Sequence, residues 1–141
     1  MIKSAIIDVF TGRAARVSRF GEVVTGRYDY SDPQFQSMSS TGTAYNFFAP
    51  ISNKRLVITD ILVDADRNVS GATPATIDIY ESSGSTDTTI DKQILKLELL
   101  KNSFRDFTAL NLIVSTGKWV NAKTDDATVN ITIAGYYVKE V

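Results

Sequence analysis

The chain has no cysteine, no histidine and three prolines among its 141 residues. Without cysteine there is neither a disulfide framework nor a thiol nucleophile. Without histidine the commonest general base and the commonest protein metal ligand are both missing. Neither Gly-x-Gly nor Gly-Lys-Ser/Thr occurs, so no phosphate-cradling loop can be read. A helix that crosses a bilayer needs about 20 consecutive apolar residues, and no run approaches that. The opening Met1-Ile-Lys-Ser-Ala-Ile-Ile-Asp8 has a short apolar run interrupted by Asp8, which is not the layout of a signal peptide. Neither secretion through a cleaved signal nor insertion in a membrane is expected.

What is present is alternation. The composition, 43% apolar and 22% charged, is that of a globular domain long enough to build its own core. In residues 127–138, Val129, Ile131, Ile133 and Tyr137 fall on one side of an extended chain, and Thr128, Asn130, Thr132 and Tyr136 on the other. Side chains on a strand point to opposite faces in turn, and β-branched residues suit a pleated surface. The same period runs through residues 55–66, predicting Val57, Thr59, Ile61, Val63 and Ala65 on one face and Leu56, Ile58, Asp60, Leu62 and Asp64 on the other. Residues 75–81 place Ile77 and Ile79 inward, with Asp78 and Tyr80 outward. Residues 94–100 alternate Leu95, Leu97 and Leu99 with Lys96 and Glu98; a helix would set Glu98 inside the apolar stripe, so pattern outranks helix propensity.

Further strands are expected at 45–49, ending before Pro50, at 110–114 and at 119–123. Loops are expected at 37–42, 68–74, 82–86, 102–106, 115–117 and 125–126, from their Ser, Gly, Asn and Asp content. About eight short strands with turn signals between them and no helix describe an all-β chain: a β-sandwich, jelly-roll-like, over residues 28–141. Ahead of it, residues 4–10 read as a strand. Segments 15–18 and 23–25 flank Phe20-Gly-Glu22 as a β-hairpin too poor in apolar residues to stand alone. Residues 1–27 are therefore expected to be an N-terminal hairpin arm.

Charge separates the same two regions. Residues 1–27 carry Lys3, Arg13, Arg16, Arg19 and Arg27 against Asp8 and Glu22, a balance of +3; the remainder is −4, and the chain −1. A basic leading segment on an acidic body suggests an arm that docks on an acidic surface, or equally a basic hairpin lying on its own acidic body or a solvated edge. The acidic body argues against a nucleic-acid partner.

No constellation points to catalysis. Asp64, Asp66 and Asn68 open like a calcium loop, but Val69 stands where the turn needs Gly and Ala75 where the loop needs Glu. Adjacent Asp125 and Asp126 would face opposite ways on a strand and suit a turn better than paired acid-base work. The chain is expected to be no enzyme and to use no metal or cofactor. Tyr28, Tyr30, Phe35, Tyr45, Phe47 and Phe48 offer a competing reading, a carbohydrate-stacking platform on a tail or fibre-base module.

Two stretches carry a resemblance. Ala5-Ile-Ile-Asp-Val-Phe-Thr-Gly-Arg-Ala-Ala-Arg-Val17 with its Gly21 hairpin is one; Gly117-Lys-Trp-Val-Asn-Ala-Lys-Thr-Asp-Asp-Ala-Thr-Val129 through Gly135-Tyr-Tyr137 is the other. Together they resemble jelly-roll decoration (cement) proteins and other small virion proteins of tailed bacteriophages. The resemblance implies a structural protein made in the host cytoplasm and carried on the outer capsid surface. It implies a homo-oligomer, dimer or trimer, whose arm contacts the major capsid protein or another virion protein across subunit junctions, with no nucleic-acid or membrane partner. Arg13, Arg16, Arg19 and Arg27 are the expected contact residues.

Overall fold

A computed structural model describes residues 28–30 (by backbone), 32–65, 74–125 and 128–140. The expected arm, residues 1–27, lies outside the described residues. Within them the chain is all-β, with ten strands and no helix. These are β1 (Tyr28–Tyr30), β2 (Gln34–Met38), β3 (Tyr45–Phe48), β4 (Lys54–Ala65), β5 (Ala75–Ser82), β6 (Lys92–Leu99), β7 (Ser103–Phe107), β8 (Leu112–Ile113), β9 (Trp119–Thr124) and β10 (Val129–Lys139).

The strands form two antiparallel sheets. In the first, β1 and β2 share one edge of β10, β10 pairs with β4, and β7 and β8 share the far edge of β4. In the second the order is β3-β9-β5-β6. The pairs nest: β2 meets β10, β3 meets β9, β4 meets β7 and β8, and β5 meets β6. A long antiparallel hairpin rolled up in this way is the jelly roll, whose two sheets are closed over one core.

The core lies between the inward faces. β10 alternates as its sequence dictates: Val129, Ile131, Ile133 and Tyr137 are buried, with partly exposed residues between them. From the second sheet Ala75, Ile77, Ile79, Leu99, Val120 and Ala122 meet them, and Phe47, Phe48 and Met38 close the ends. Tyr137 stands edge-on to Phe48, at 6.4 Å between centroids, and its hydroxyl donates to the Ala49 carbonyl at 2.8 Å. Burial of that ring raises its pKa.

β4 departs from strict alternation. Leu56 and Ile58 are in the core, and so are Ile61, Val63 and Ala65. The spacing of three between Ile58 and Ile61 reflects a bulge: Ala134 lies opposite Asp60 and Gly135 opposite Ile58, which leaves Thr59 as the extra residue. One inserted residue switches which face each later side chain takes. The expected grouping of Val57 with Ile61 is therefore corrected. Val57 sits on the outer side between Tyr136 and Ile113, while Leu56 and Ile58 point inward. Gly135 accommodates the bulge, since a Cβ there would stand 2.6 Å from the Val57 carbonyl oxygen and 3.3 Å from Ile58 Cα.

Three other expectations are corrected. Residues 103–107, read as loop, form β7, an edge strand whose exposed Phe104, Arg105 and Asp106 hide its extended character. β2 runs through Met38, which is fully buried, so the loop expected at 37–42 begins only at Ser39. The strand expected at 110–114 shortens to β8: Ala109 has a φ of 55°, and although the Leu110 N–H reaches the Thr59 carbonyl at 2.8 Å, ladder pairing with β4 covers only Leu112 and Ile113. Pattern does decide correctly for β6, a strand throughout.

Gly135→Ala is expected to lower the unfolding free energy by about 2 kcal/mol in urea titration, as overpacking against backbone does. An unchanged midpoint would mean that the bulge can widen without cost.

Candidate interaction surface

The bulge also decides what the first sheet shows to solvent. Beyond it, Asp60, Leu62 and Asp64 alternate outward from β4, while Phe104 and Asp106 do so from β7 and Phe35 from β2. Phe35 lies opposite Thr132, which lies opposite Leu62, so these three make one row across the sheet. Phe104 is one step diagonal from Leu62, opposite Asp64. Phe35 is 59% exposed, Leu62 41% and Phe104 63%. Their exposed parts amount to roughly 300 Å² of apolar surface, judged from the size of such side chains. That is within the range of the largest patch on a typical monomer, which is often functional.

The outer face of the second sheet is covered at its Tyr80 and Asn121 end, while Lys96 and Glu98 on β6 stay exposed. Tyr80 points outward as expected, yet it is fully buried, because the chain from Ser83 to Asp91 folds over it. The Tyr80 hydroxyl donates to the Asp87 carbonyl at 3.0 Å, and Lys123 Nζ stands 5.4 Å from its ring centroid. Asn121, also fully buried, ties the cover down. Its amide donates to Ser82 Oγ at 2.7 Å, to the Gly84 carbonyl at 2.9 Å and to the Asp87 carbonyl at 3.2 Å, while its oxygen accepts from Asn46 at 3.0 Å. At the far end of the cover Lys118 pairs with Asp91 at 2.7 Å, and Ser83 donates to the same carboxylate. The Lys118 and Ser83 bonds hold the Asp91 carboxyl below its usual range.

A groove of about 480 Å³ opens beside this cover, lined by Thr41, Gly42, Thr76, Asp78, Thr88, Lys123, Thr124 and Asp125. Much of its polar equipment is already engaged. Lys123 donates to the Thr88 carbonyl at 2.7 Å, and Asp125 Oδ1 accepts from the Thr76 N–H at 2.7 Å. Asp78 Oδ1 has no hydrogen bond, but it is buried beneath the surface with Lys96 Nζ at 3.9 Å. A smaller hollow holds Glu81, which is likewise committed: Ser115 N–H donates to it at 2.9 Å and Lys92 lies at 3.5 Å. Among the described residues no group of three or more His, Cys, Asp or Glu is placed to hold a metal.

Of the residues singled out from sequence, Arg13, Arg16, Arg19 and Arg27 lie outside the described residues, as do Asp66, Asn68 and Asp126. Asp125 takes its turn role by bonding backbone across to β5. The four aromatics of 28–48 whose side chains are described do not gather on one surface. Phe47 and Phe48 enter the core, and the Tyr45 hydroxyl accepts the Ser39 and Ser40 N–H groups at 3.1 Å, which lowers its pKa. Phe35 alone among those four is displayed on the open face. Sequence reasoning missed Leu62 and Phe104 as its neighbours. The available signal was the Phe104/Asp106 alternation, masked by reading that segment as a loop.

No protein-family model and no curated protein matches the chain. Among solved structures, one from Bacillus endospore appendages, a family of disulfide-linked pili, is similar over 84% of this chain and 95% of that one, with 15% identity and a TM-score of 0.46. The fold assignment rests on the strand pairing of this chain.

The covered face makes a prediction in alkali. Burial first, then the charges of Asp87 and Asp78, push the Tyr80 hydroxyl from 10.0 up to about 12 against the lowering effect of Asn121. The folded state thus favours the neutral phenol. The stability it carries is full below pH 10 and is lost as pH rises towards 12. Ultraviolet titration is expected to show a tyrosine ionising near pH 12 that disappears in Tyr80→Phe; ionisation of every tyrosine near pH 10 in folded protein would contradict the burial.

Proposed function

We propose that the chain is a structural virion protein that decorates and stabilises a phage capsid, reaching across subunit junctions with its N-terminal segment, residues 1–27. The observation that carries the proposal is the exposed group Phe35, Leu62 and Phe104 on the outer face of the first sheet of a jelly roll. An apolar group of this kind on one sheet face suits contact with other protein chains. The basic balance of residues 1–27 adds a second means of attachment, with Arg13, Arg16, Arg19 and Arg27 the proposed contacts. With no cysteine in the chain, the attachment uses no disulfide. A protein that binds only the assembled shell stabilises it by mass action.

The rival reading, a carbohydrate-binding or tail and fibre-base module, has less support. A stacking platform needs several aromatics displayed together, and Phe47 and Phe48 are core residues.

The test is co-sedimentation with shells of the phage that encodes the chain. The full chain is expected to pellet with shells, and deletion of residues 1–27 to weaken binding at least about tenfold, the equivalent of about 1.4 kcal/mol. Undiminished binding of the truncated chain would overturn the proposal.

A further inference from the structure

We infer that the open face of the first sheet is the seat for residues 1–27 of a second copy of the chain. The inference rests on the proposed reading in one respect, that residues 1–27 engage another protein chain; it adds a neighbouring copy to the shell as what they engage, and names the surface.

The first argument is charge. The row Phe35, Leu62 and Phe104 is interleaved with Asp60, Asp64 and Asp106 on the same outward phase of β4 and β7. No ion pair among the described residues engages any of these carboxylates. The nearest cation by sequence, Arg105, sits on the opposite phase of β7 and donates to the Phe104 carbonyl at 3.1 Å. Face-to-face packing of two copies would satisfy the apolar row but bring like carboxylates together, which disfavours that arrangement. Residues 1–27 carry the complementary set: Ile6, Ile7, Val9 and Phe10 for the apolar row, and a balance of +3 for the carboxylates.

The second argument is where the segment joins the body. β1 lies on the β10 edge of this sheet, with Tyr28 opposite Val138, whereas Phe35 is opposite Thr132. Traced backwards from Tyr30 to Tyr28, the chain leaves the sheet at the end remote from the row. To lie on its own row it would have to reverse before Tyr28 and run back about 20 Å along the strands. An extended segment of 27 residues reaches about 90 Å, and the sheet is about 20 Å across. The corresponding row of a neighbouring copy is therefore within reach without a reversal. Segment of one copy on face of the next is a head-to-tail contact, which closes as a ring or continues as a chain of subunits.

The experiment is size-exclusion chromatography with light scattering on four samples. These are the full chain, the chain lacking residues 1–27, the full-length face variant Phe35→Ser/Leu62→Thr/Phe104→Ser, and an equimolar mixture of the last two. The full chain is expected to be oligomeric and each altered chain monomeric. The mixture should give a 1:1 heteromer, because one member keeps the seat and the other the segment. Should the triple variant not fold by circular dichroism, Asp64→Lys/Asp106→Lys serves in its place, with association expected to weaken at least tenfold. A monomeric full chain, an oligomer that survives both alterations, or a mixture that stays monomeric would overturn the inference. Co-sedimentation of the same proteins with shells separates it from the decoration reading: loss of self-association in the face variant with shell binding intact leaves both standing, a monomeric full chain that still binds shells overturns this inference alone, and binding that persists without residues 1–27 overturns the decoration reading.

Discussion

The antiparallel pairing of β10 with β4 is the constraint on which the rest depends. It is the longest ladder in the molecule, running from Val129 opposite Ala65 to Lys139 opposite Lys54. Both strands bury large β-branched side chains along nearly their whole length, which no single unbroken pleat of β4 could do with its sequence. The extra residue at Thr59 resolves the conflict by exchanging the faces of β4 midway, and Gly135 gives it room. From that exchange follow the inward turn of Leu56 and Ile58, the outward turn of Val57, and the outward series Asp60, Leu62 and Asp64. The ladder is also tied at its end: Glu140 accepts from the Thr116 hydroxyl and from Arg55 on β4, and these bonds hold its carboxyl below the usual range.

The two sheets resolve their outer faces differently. On the second, a loop lies over part of the strands, and its carbonyls are bonded from beneath: Gly84 and Asp87 by the buried Asn121 amide, Asp87 also by Tyr80, and Thr88 by Lys123. Buried polar groups are costly unless paired, and pairing of this density fixes the loop in one place. On the first sheet no described segment covers Phe35, Leu62 and Phe104, and no ion pair among the described residues engages their carboxylate neighbours. A sheet face that is both apolar and acidic is suited to assembly.

The sequence revealed most of the fold wherever one side of a strand is buried and the other wet. β10, β5 and β6 are legible for that reason. It misled where burial is decided by a neighbour. Met38 sits among Ser37, Ser39 and Ser40 and looks like loop, yet its register with Val129 puts it in the core. Tyr80 is on the outward face and still dry, because the segment just after its strand, Ser83 to Asp91, folds back over it. The bulge in β4 leaves only the Ile58-to-Ile61 spacing as a trace, and two faces of similar hydrophobicity conceal even that. Of the candidate surface, Phe35 was visible as an aromatic in polar company, while Leu62 was placed on an outward, increasingly acidic face but not joined to Phe35. Phe104 was not, since charged edge strands and loops share a composition. The four arginines lie outside the described residues, so their role is carried by charge alone.

The most direct measurement is photo-crosslinking from a benzophenone side chain introduced at position 104, in a mixture of isotopically heavy and light full-length chains. The account predicts adducts joining position 104 of one chain to residues 1–27 of another, seen as heavy–light peptide pairs. Adducts confined within single chains, or the absence of any adduct to residues 1–27, would contradict it.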